Sequence, residues 1–506
     1  TVLLLAPPGV SGWKTADLLY LPNSHQVPPN TQPFVHQRDH ISIKLMSSDG
    51  LTATLSAPLL FDHPGCKNRA GEIKILPHVV NLTRNVLFRA NHDQAHVIFH
   101  HMAQLDLNNA IFYHLGRTLN EPITIANPKA RYPLHLHHMM RGKLHRIAGC
   151  VVDGGIVGGR DIKWGIVIHD THDTNVIDNV VHNTAGAGIV SEDGGESNNY
   201  IGRNFVGRIW GTGARTDNQD VGMGMEGCGI WLRGPLNQVE ANVVAEVRAS
   251  GPAVYAYTLF FRSNGLMHLP VKSWKNNEAY CVENGMTFWD LATDQQTPLP
   301  LAMGSTLEGF TLWHHTGLAT FNYENQKLTL KNWRIFGDFD LLWADKGAGG
   351  IYGADYLCHS YEVTGLQAEG IVYGVAGSSD SAGSGQLISD STFDCKDAGV
   401  VVPSMWISGN DVRNIPPRKV IVRNCRSHGR LLGMEYDPGH DNYPVQIDQT
   451  FVYDAQGKVG DNFQAYFERQ QASALVPQTI EWTRIGCPEA GLTNAQAKAK
   501  YGVCIG

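Results

Sequence analysis

The chain is poor in charge and lacks the runs that mark a membrane span or a nucleic-acid surface. Only 17% of its 506 residues are charged, and its 40 basic residues form no Lys/Arg run against 47 acidic ones, for a net charge of −7. That balance speaks against nucleic acid as a partner. The longest apolar stretch near the N-terminus, Val2 to Ala6, is far short of the ~20 residues that span a bilayer, so no membrane segment is expected. The nine cysteines contain no CxxC, which removes a zinc ribbon or a thioredoxin motif. Their odd number leaves at least one thiol unpaired, while Cys487 and Cys504 could staple the short tail they flank. The sequence starts at Thr1 with no Met and no charged-then-apolar leader, which fits a processed N-terminus or one trimmed by choice of boundary. With one glycosylation acceptor at Asn81-Leu82-Thr83, these features favour secretion over the cytosol. Helical periodicity is nearly absent before Thr493–Tyr501.

What remains is strand. A composition 42% hydrophobic, with 54 Gly and 24 Pro, is neither disordered nor collagen-like nor coiled coil. Short β-rich runs recur and end in Gly, Asn or Asp: Gly165-Ile-Val-Ile-His, Gly188-Ile-Val-Ser-Glu, Gly229-Ile-Trp-Leu-Arg. Runs such as Asn175-Val-Ile-Asp-Asn and Asn237-Gln-Val-Glu-Ala-Asn lie between them. From His169 to Glu192 the step is 23 residues and from Arg233 to Tyr257 it is 24, with a longer step of 41 between Glu192 and Arg233 where a loop intrudes. Short strands at that period with Asn at the corners indicate an all-β, right-handed parallel β-helix. An antiparallel sandwich would turn every 8–12 residues. The expected organisation is a β-rich module over 1–90, the parallel β-helix over 91–430, and an irregular C-terminal cap over 431–506 that covers the last coil.

Histidine is the informative residue, 23 in all and dense between His92 and His182. In Leu134-His-Leu-His-His138, alternation turns Leu134 and Leu136 inward and His135 and His137 outward. The same reading turns His100, His169, Glu192, Trp231 and Arg233 outward. Stacked as successive coils about 4.8 Å apart, His100, His137, His169, Glu192 and Arg233 form a column. Imidazole and carboxylate groups in it could share a metal at ~2.0–2.2 Å. His135 and His138 compete for the second position, and His96 and His101 for the first. Zinc, iron, manganese or copper would each suit such donors. The competing reading is a solvated polar ladder, the commoner fate of a single outward histidine.

Glu192 and Asp193, with Asp170, are the candidates for moving protons, and Asp170, Asp173 and Asp193 could equally stand behind the metal ligands and orient them; alone, Glu192-Asp-Gly-Gly-Glu196 reads equally as a polar turn. Trp210, Trp231 and Arg233 could line a sugar groove, the arginine pairing with a carboxylate, or the tryptophans could pack beneath the loop at 211–226. Gly222-Met-Gly-Met-Glu-Gly follows no strand and opens no helix, so it is no nucleotide loop. Tyr436-Asp-Pro-Gly-His-Asp441 reads as a turn.

These residues also carry a family resemblance. Trp13…Asp17…Leu19, Leu51-Thr-Ala-Thr-Leu, His63-Pro-Gly and Pro77…Asn81-Leu-Thr-Arg-Asn85 resemble a G8 module. His96…His100, Arg131-Tyr-Pro-Leu-His-Leu-His137, His169…His172, Asn183…Gly188 and Glu192-Asp-Gly continue the match. Residues 1–260, and more loosely 275–370, are similar to the family of the cell-migration-inducing and hyaluronan-binding protein and its transmembrane paralogue, and to secreted bacterial G8/β-helix proteins. The resemblance implies an extracellular polysaccharide-degrading enzyme and places Arg131 and His135 in its Arg-Tyr-Pro-x-His-x-His signature, Arg131 toward substrate. This chain is shorter than the animal members and differs in its C-terminal third, so the substrate is expected to be a polysaccharide without being fixed as hyaluronan. Two other classes stand beside a hydrolase or lyase: a metal-dependent oxidoreductase on a three-His, one-Glu site, and a glycan-binding adhesin without catalysis.

Overall fold

A computed structural model describes residues 2–460, apart from 6–9, 11, 30, 32–35, 91–94, 140, 155, 158–159, 214–222, 250–252, 262–265, 267, 292–303, 354–358, 378–385, 403–419, 435–449 and 454–458. Tyr436–Asp441, Cys487, Cys504, Thr493–Tyr501 and most of the expected cap therefore lie outside the described residues. The fold is all-β. Among the described residues Phe339–Trp343 is the single helix, and none is long and apolar enough to cross a membrane. The chain divides into two compact units, Thr1–Thr258 with Asn277–Glu283, and Leu259–Asn276 with Asn284–Gly506.

In the first unit, Val2–Leu4, Leu18–Leu21, Asp39–Met46, Thr52–Leu55 and Val80–Asn81 form an antiparallel five-stranded sheet. Alternation buries Leu19, Leu21, Ile41, Ile43 and Leu55 as one small core. From Val86–Arg89 onward, pairing turns parallel and the chain winds as a right-handed parallel β-helix. Three strand columns stack coil on coil: Leu134–Met139 under Trp164–His169 in one, His145–Ala148 under Thr174–Ile177 in the next, Val151–Asp153 under Val180–Thr184 in the third. Leu134, Leu136, Ile166, Ile168, Ile189 and Ile230 point inward and are fully buried. Gly165, Gly188 and Gly229 recur at one level because a Cβ at Gly165 or Gly188 would meet the next coil's carbonyl at 2.7 Å.

The corners are held by asparagine. Asn179 donates its amide to Asn204 at 3.0 Å, Asn204 to Asn242 at 2.9 Å and Asn242 to Asn277 at 3.0 Å. Each also donates to a backbone carbonyl one coil back, as Asn204 does to Val176 at 2.8 Å. A buried amide left unpaired costs on the order of 2–7 kcal/mol, so an interior asparagine persists only where a neighbour at the same level completes it. That is the physical meaning of Asn at the corners. Cys150, Cys228, Cys281 and Cys395 are buried free thiols.

The second unit is also a parallel β-helix. Asn284–Leu291, Leu318–Lys331, Gly349–Gly353, Gln367–Ala376, Thr392–Val402 and Leu432–Met434 stack in one column. Ser305–Glu308, Leu318–Lys331, His359–Thr364, Gln386–Ser389, Val420–Arg423 and Thr450–Tyr453 stack in another. Asp338 caps the short helix by accepting from the Asp340 and Leu341 amides.

Candidate metal centre

The outward histidines of the first unit stand in register. His100 pairs with His137 and His137 with His169 in parallel ladders. Ile168 pairs with Ser191 and Ser191 with Leu232, which sets Glu192 and Arg233 at the same level as His169 on the following coils. The Glu192 amide continues the ladder to the Ile168 carbonyl at 3.0 Å.

Within that column the donors separate into two groups. His135, His169 and Glu192 offer atoms all within 4.8 Å of one another, and so do His137, His138 and His169. His100 belongs to neither; its Nδ1 lies 2.6 Å from Nδ1 of His101. The first group has a further property. His135 Nε2, His169 Nδ1 and Glu192 Oε2 are all buried and all without a hydrogen-bond partner. Buried polar atoms are nearly always satisfied, and three orphans converging from three coils fit a metal ion.

The second group arises where strand alternation fails. His101, His138 and Asp170 each have left-handed φ, at 56°, 51° and 40°. These are the residues just after the column positions, so His137 and His138 reach the same side and their ring centroids lie 4.2 Å apart. Asp170 then accepts from His138 Nδ1 at 2.9 Å and lies 3.5 Å from His172 Nε2. It orients a ring, the place behind a ligand that the sequence offered Asp170 beside a proton-moving one.

Electrostatics sort the donors. Burial, with His137, His169 and His96 nearby, brings His135 down to about 3 against the pull of the Ala130 carbonyl. Burial and the rings of His169, His138, His100 and His101 bring His137 down to about 4. Both are neutral imidazoles at pH 7, the form that ligates metal. Burial also lowers His169, but Asp193 at 3.0 Å from its Nε2, with Glu192 and Glu196, outweighs it and its pKa rises. Glu192 is pushed up to about 7, by burial first and then by Asp193 and Glu196, against His169 and Lys129.

Glu196, fully buried, is the residue the sequence under-reads. Its Oε1 accepts the amides of Asp170, Glu192 and Asp193 at 3.3, 3.1 and 2.7 Å, and its Oε2 that of Gly194 at 2.6 Å. One carboxylate thus shapes the turn that presents both acids. The Glu-Asp-Gly-Gly-Glu spacing was its only signal. Lys163 and Tyr132 were also missed: Lys163 is buried with its ammonium 4.5 Å over the Trp164 ring, brought to about 8 by burial against Glu192 and Glu226. Burial, and then Glu192, hold the Tyr132 phenol well above its usual value.

The four residues expected toward substrate have protein contacts of their own. Trp231 is only 4% exposed and donates Nε1–H to Glu226 at 2.9 Å, packed under the loop residues. Arg233 is 9% exposed and its guanidinium donates to the Glu192 carbonyl at 3.1 Å, holding the acidic turn. Trp210 lies on Phe205–Gly211, which stacks in a different column, beneath the Arg208 guanidinium. Arg131 donates to the adjacent Ala130 carbonyl at 3.4 Å. Alternation turned Trp231 and Arg233 outward; it could not show that Met223 and Glu226, from the preceding loop, cover them.

The decisive comparison falls on these coils. Residues 94–286 match the CEMIP beta-helix family. That segment contains every histidine and carboxylate of the centre, so the resemblance read from the motifs holds over the CEMIP-like coils. No curated protein matches the chain. Among solved structures the chain is distantly similar to the catalytic domain of a GH87 alpha-1,3-glucanase in complex with nigerose. The TM-score is 0.36 at 10% identity, over 90% of each chain. It is also distantly similar to the tailspike protein gp49 from Pseudomonas phage LKA1. That TM-score is 0.25 at 10% identity, over 86% of this chain and 66% of the other.

Proposed function

We propose that the chain is an extracellular, metal-dependent enzyme that depolymerises a polysaccharide along the outer face of its CEMIP-like coils. The observation that carries this reading is the convergence of His135 Nε2, His169 Nδ1 and Glu192 Oε2, three buried atoms with no other partner. Two histidines and one glutamate suit zinc with an open position. When bound, the metal would polarise a substrate oxygen or activate water. The chain's own residues do the rest. Glu196 fixes the turn at 192–194, Asp193 holds His169 by its Nε2, and Arg233 anchors the Glu192 carbonyl. Asp193, half-exposed beside the ring, is the group placed to exchange a proton with substrate. A chain-like substrate fits because the outer face of a solenoid runs on from coil to coil. Elemental analysis of purified protein and a polysaccharide panel test the reading. Metal at one or more equivalents with shortening of a glycan supports it; metal-free protein that leaves every glycan intact overturns it in favour of a binding module. Ultraviolet absorbance of an unsaturated uronate separates elimination from hydrolysis.

The same donor set favours one second reading. Two histidines and a carboxylate with open positions also form the facial arrangement of non-haem iron oxygenases. Oxygen uptake by iron-loaded protein in the presence of glycan, absent with zinc, would establish oxidative cleavage instead.

A further inference from the structure

His169 belongs to both donor groups, and its two ring nitrogens look in different directions. Nδ1 lies 3.3 Å from Glu192 Oε2 on the buried side, and Nε2 lies 3.0 Å from Asp193 Oδ2 on the more exposed side. The buried side also holds His135, stacked parallel to His169 at 5.7 Å between ring centroids. His137 and His138 also flank the ring, with centroids 4.7 and 4.8 Å from that of His169. Apart from His169 the two groups share no donor.

We propose that these coils bind two divalent transition-metal ions side by side, the second held by His137, His138 and Nε2 of His169. The inference rests on the reading of His135, His169 and Glu192 as the first position. Three observations support the second. One donor atom from each of His137, His138 and His169 lies within 4.8 Å of the others, and side-chain rotation must close that separation to the ~3.3–3.4 Å set by tetrahedral ligation at ~2.0–2.1 Å per nitrogen. Asp170 takes the Nδ1–H of His138 at 2.9 Å, which leaves Nε2 as the lone-pair nitrogen; a carboxylate behind a ligating histidine is the usual way its tautomer is fixed. The left-handed backbone at His138 puts it beside His137, with ring centroids 4.2 Å apart, so one coil supplies two imidazoles to the same side. One imidazole can serve both ions because it has a nitrogen on each edge. Filling the second position replaces the ring's remaining N–H by an N–metal bond, and that proton leaves to solvent.

Zinc titration of the metal-stripped full chain, followed by gel filtration and elemental analysis, tests this. His138→Asn is the main variant, since asparagine accepts a left-handed φ and the site is on the surface; His137→Ala is the second. The expected result is two equivalents for the wild type, one for His138→Asn, for His137→Ala and for His135→Ala, and none for His169→Ala. Circular dichroism melts identify any variant that has lost its fold, and the other position's ion, retained in His138→Asn, reports the same thing directly. A wild type that saturates at one equivalent, lost in His135→Ala and kept in His138→Asn, overturns the second position and leaves the first standing. One equivalent lost in His138→Asn and kept in His135→Ala overturns the pair and the first reading together. So does a wild type that retains no zinc.

Discussion

Nδ1 of His169 lies 3.3 Å from Oε2 of Glu192 on the next coil, and neither atom has a hydrogen-bond partner. Two groups that could satisfy each other, with His169 raised and Glu192 brought to about 7, instead face a common point with His135. Replacing Glu192 by Gln keeps the volume and removes the anionic donor. We expect Glu192→Gln to lose the buried metal equivalent and all depolymerising activity while its melting temperature stays level or rises, because a buried carboxylate is relieved. Metal analysis beside a thermal melt checks this, and a variant that keeps its full metal content removes Glu192 from the centre.

Arg233 separates a substrate role from a structural one. Its guanidinium reaches the Glu192 carbonyl, and its backbone amide donates to Ser191 Oγ at 3.1 Å. Arg233→Lys is therefore expected to lower activity on an acidic and a neutral polysaccharide by the same factor. It should also destabilise the protein by roughly 1–3 kcal/mol, the cost of a buried charge-assisted bond. Loss confined to the acidic substrate would return Arg233 to the substrate site.

The fold was legible because a solenoid repeats its reasons. Leu134, Ile166, Ile189 and Ile230 show the same inward position four times, and the asparagines at 179, 204 and 242 show the same corner three times. The column of His100, His137, His169 and Glu192 followed from the same repeat. What alternation could not supply was the break in alternation: the left-handed turn at His138 and Asp170 adds a second imidazole and sets Asp170 against it. Nor could it supply cover, since Trp231 and Arg233 point outward yet are closed over by Met223 and Glu226, residues of a loop with no repeat to read.

The Asn ladder sets a stability prediction. Asn204 accepts from the Asn179 backbone and side-chain amides at 3.0 Å each and donates to Val176 and Asn242. Asn204→Ala strands partners on two neighbouring coils, and we expect a loss of about 2–5 kcal/mol, the sum of several orphaned groups at ~1–3 kcal/mol each less relaxation. Asn204→Asp should be no milder, because it removes the donor. Denaturant unfolding measures both; a change under ~1 kcal/mol would mean that water replaces the ladder.

Acid should unfasten Glu246. Burial raises its pKa, but His36 at 2.8 Å, Arg38 at 2.5 Å and the Tyr20 hydroxyl at 2.6 Å outweigh that and bring it to about 2. A carboxyl with a folded pKa below its unfolded value of ~4.3 adds stability that is complete above that value. The contribution then falls away as pH drops toward 2. Melting temperature should therefore decline between about pH 4.5 and pH 2, by linkage to this proton, and Glu246→Gln should flatten that decline while lowering stability at pH 7. An unchanged slope in the variant would assign the acid sensitivity to other carboxylates.

Glu196 offers the sharpest separation of positioning from folding. It holds four amides, those of Asp170, Glu192, Asp193 and Gly194. Burial lifts its pKa even though the Asp193 and Gly194 amides stabilise the anion, so its value lies in shape more than in charge. Glu196→Gln keeps one carbonyl oxygen and turns the other acceptor into a donor, facing either the Gly194 amide or the three at Oε1. The turn at 192–194 must then shift by a few tenths of an ångström to avoid donor against donor. Residues that orient ligands in this way typically cost 10–100-fold in metal affinity when replaced, and we expect that range for zinc binding to Glu196→Gln. A purely structural residue would instead lower the melting temperature and leave affinity in the folded protein untouched. Competition with a calibrated chelator, at a temperature well below the melt, reads affinity alone. Wild-type affinity with a lowered melt would make Glu196 a turn-former only, whereas weakened affinity with a near-unchanged melt would show that its four bonds set the distance between Glu192 and His169.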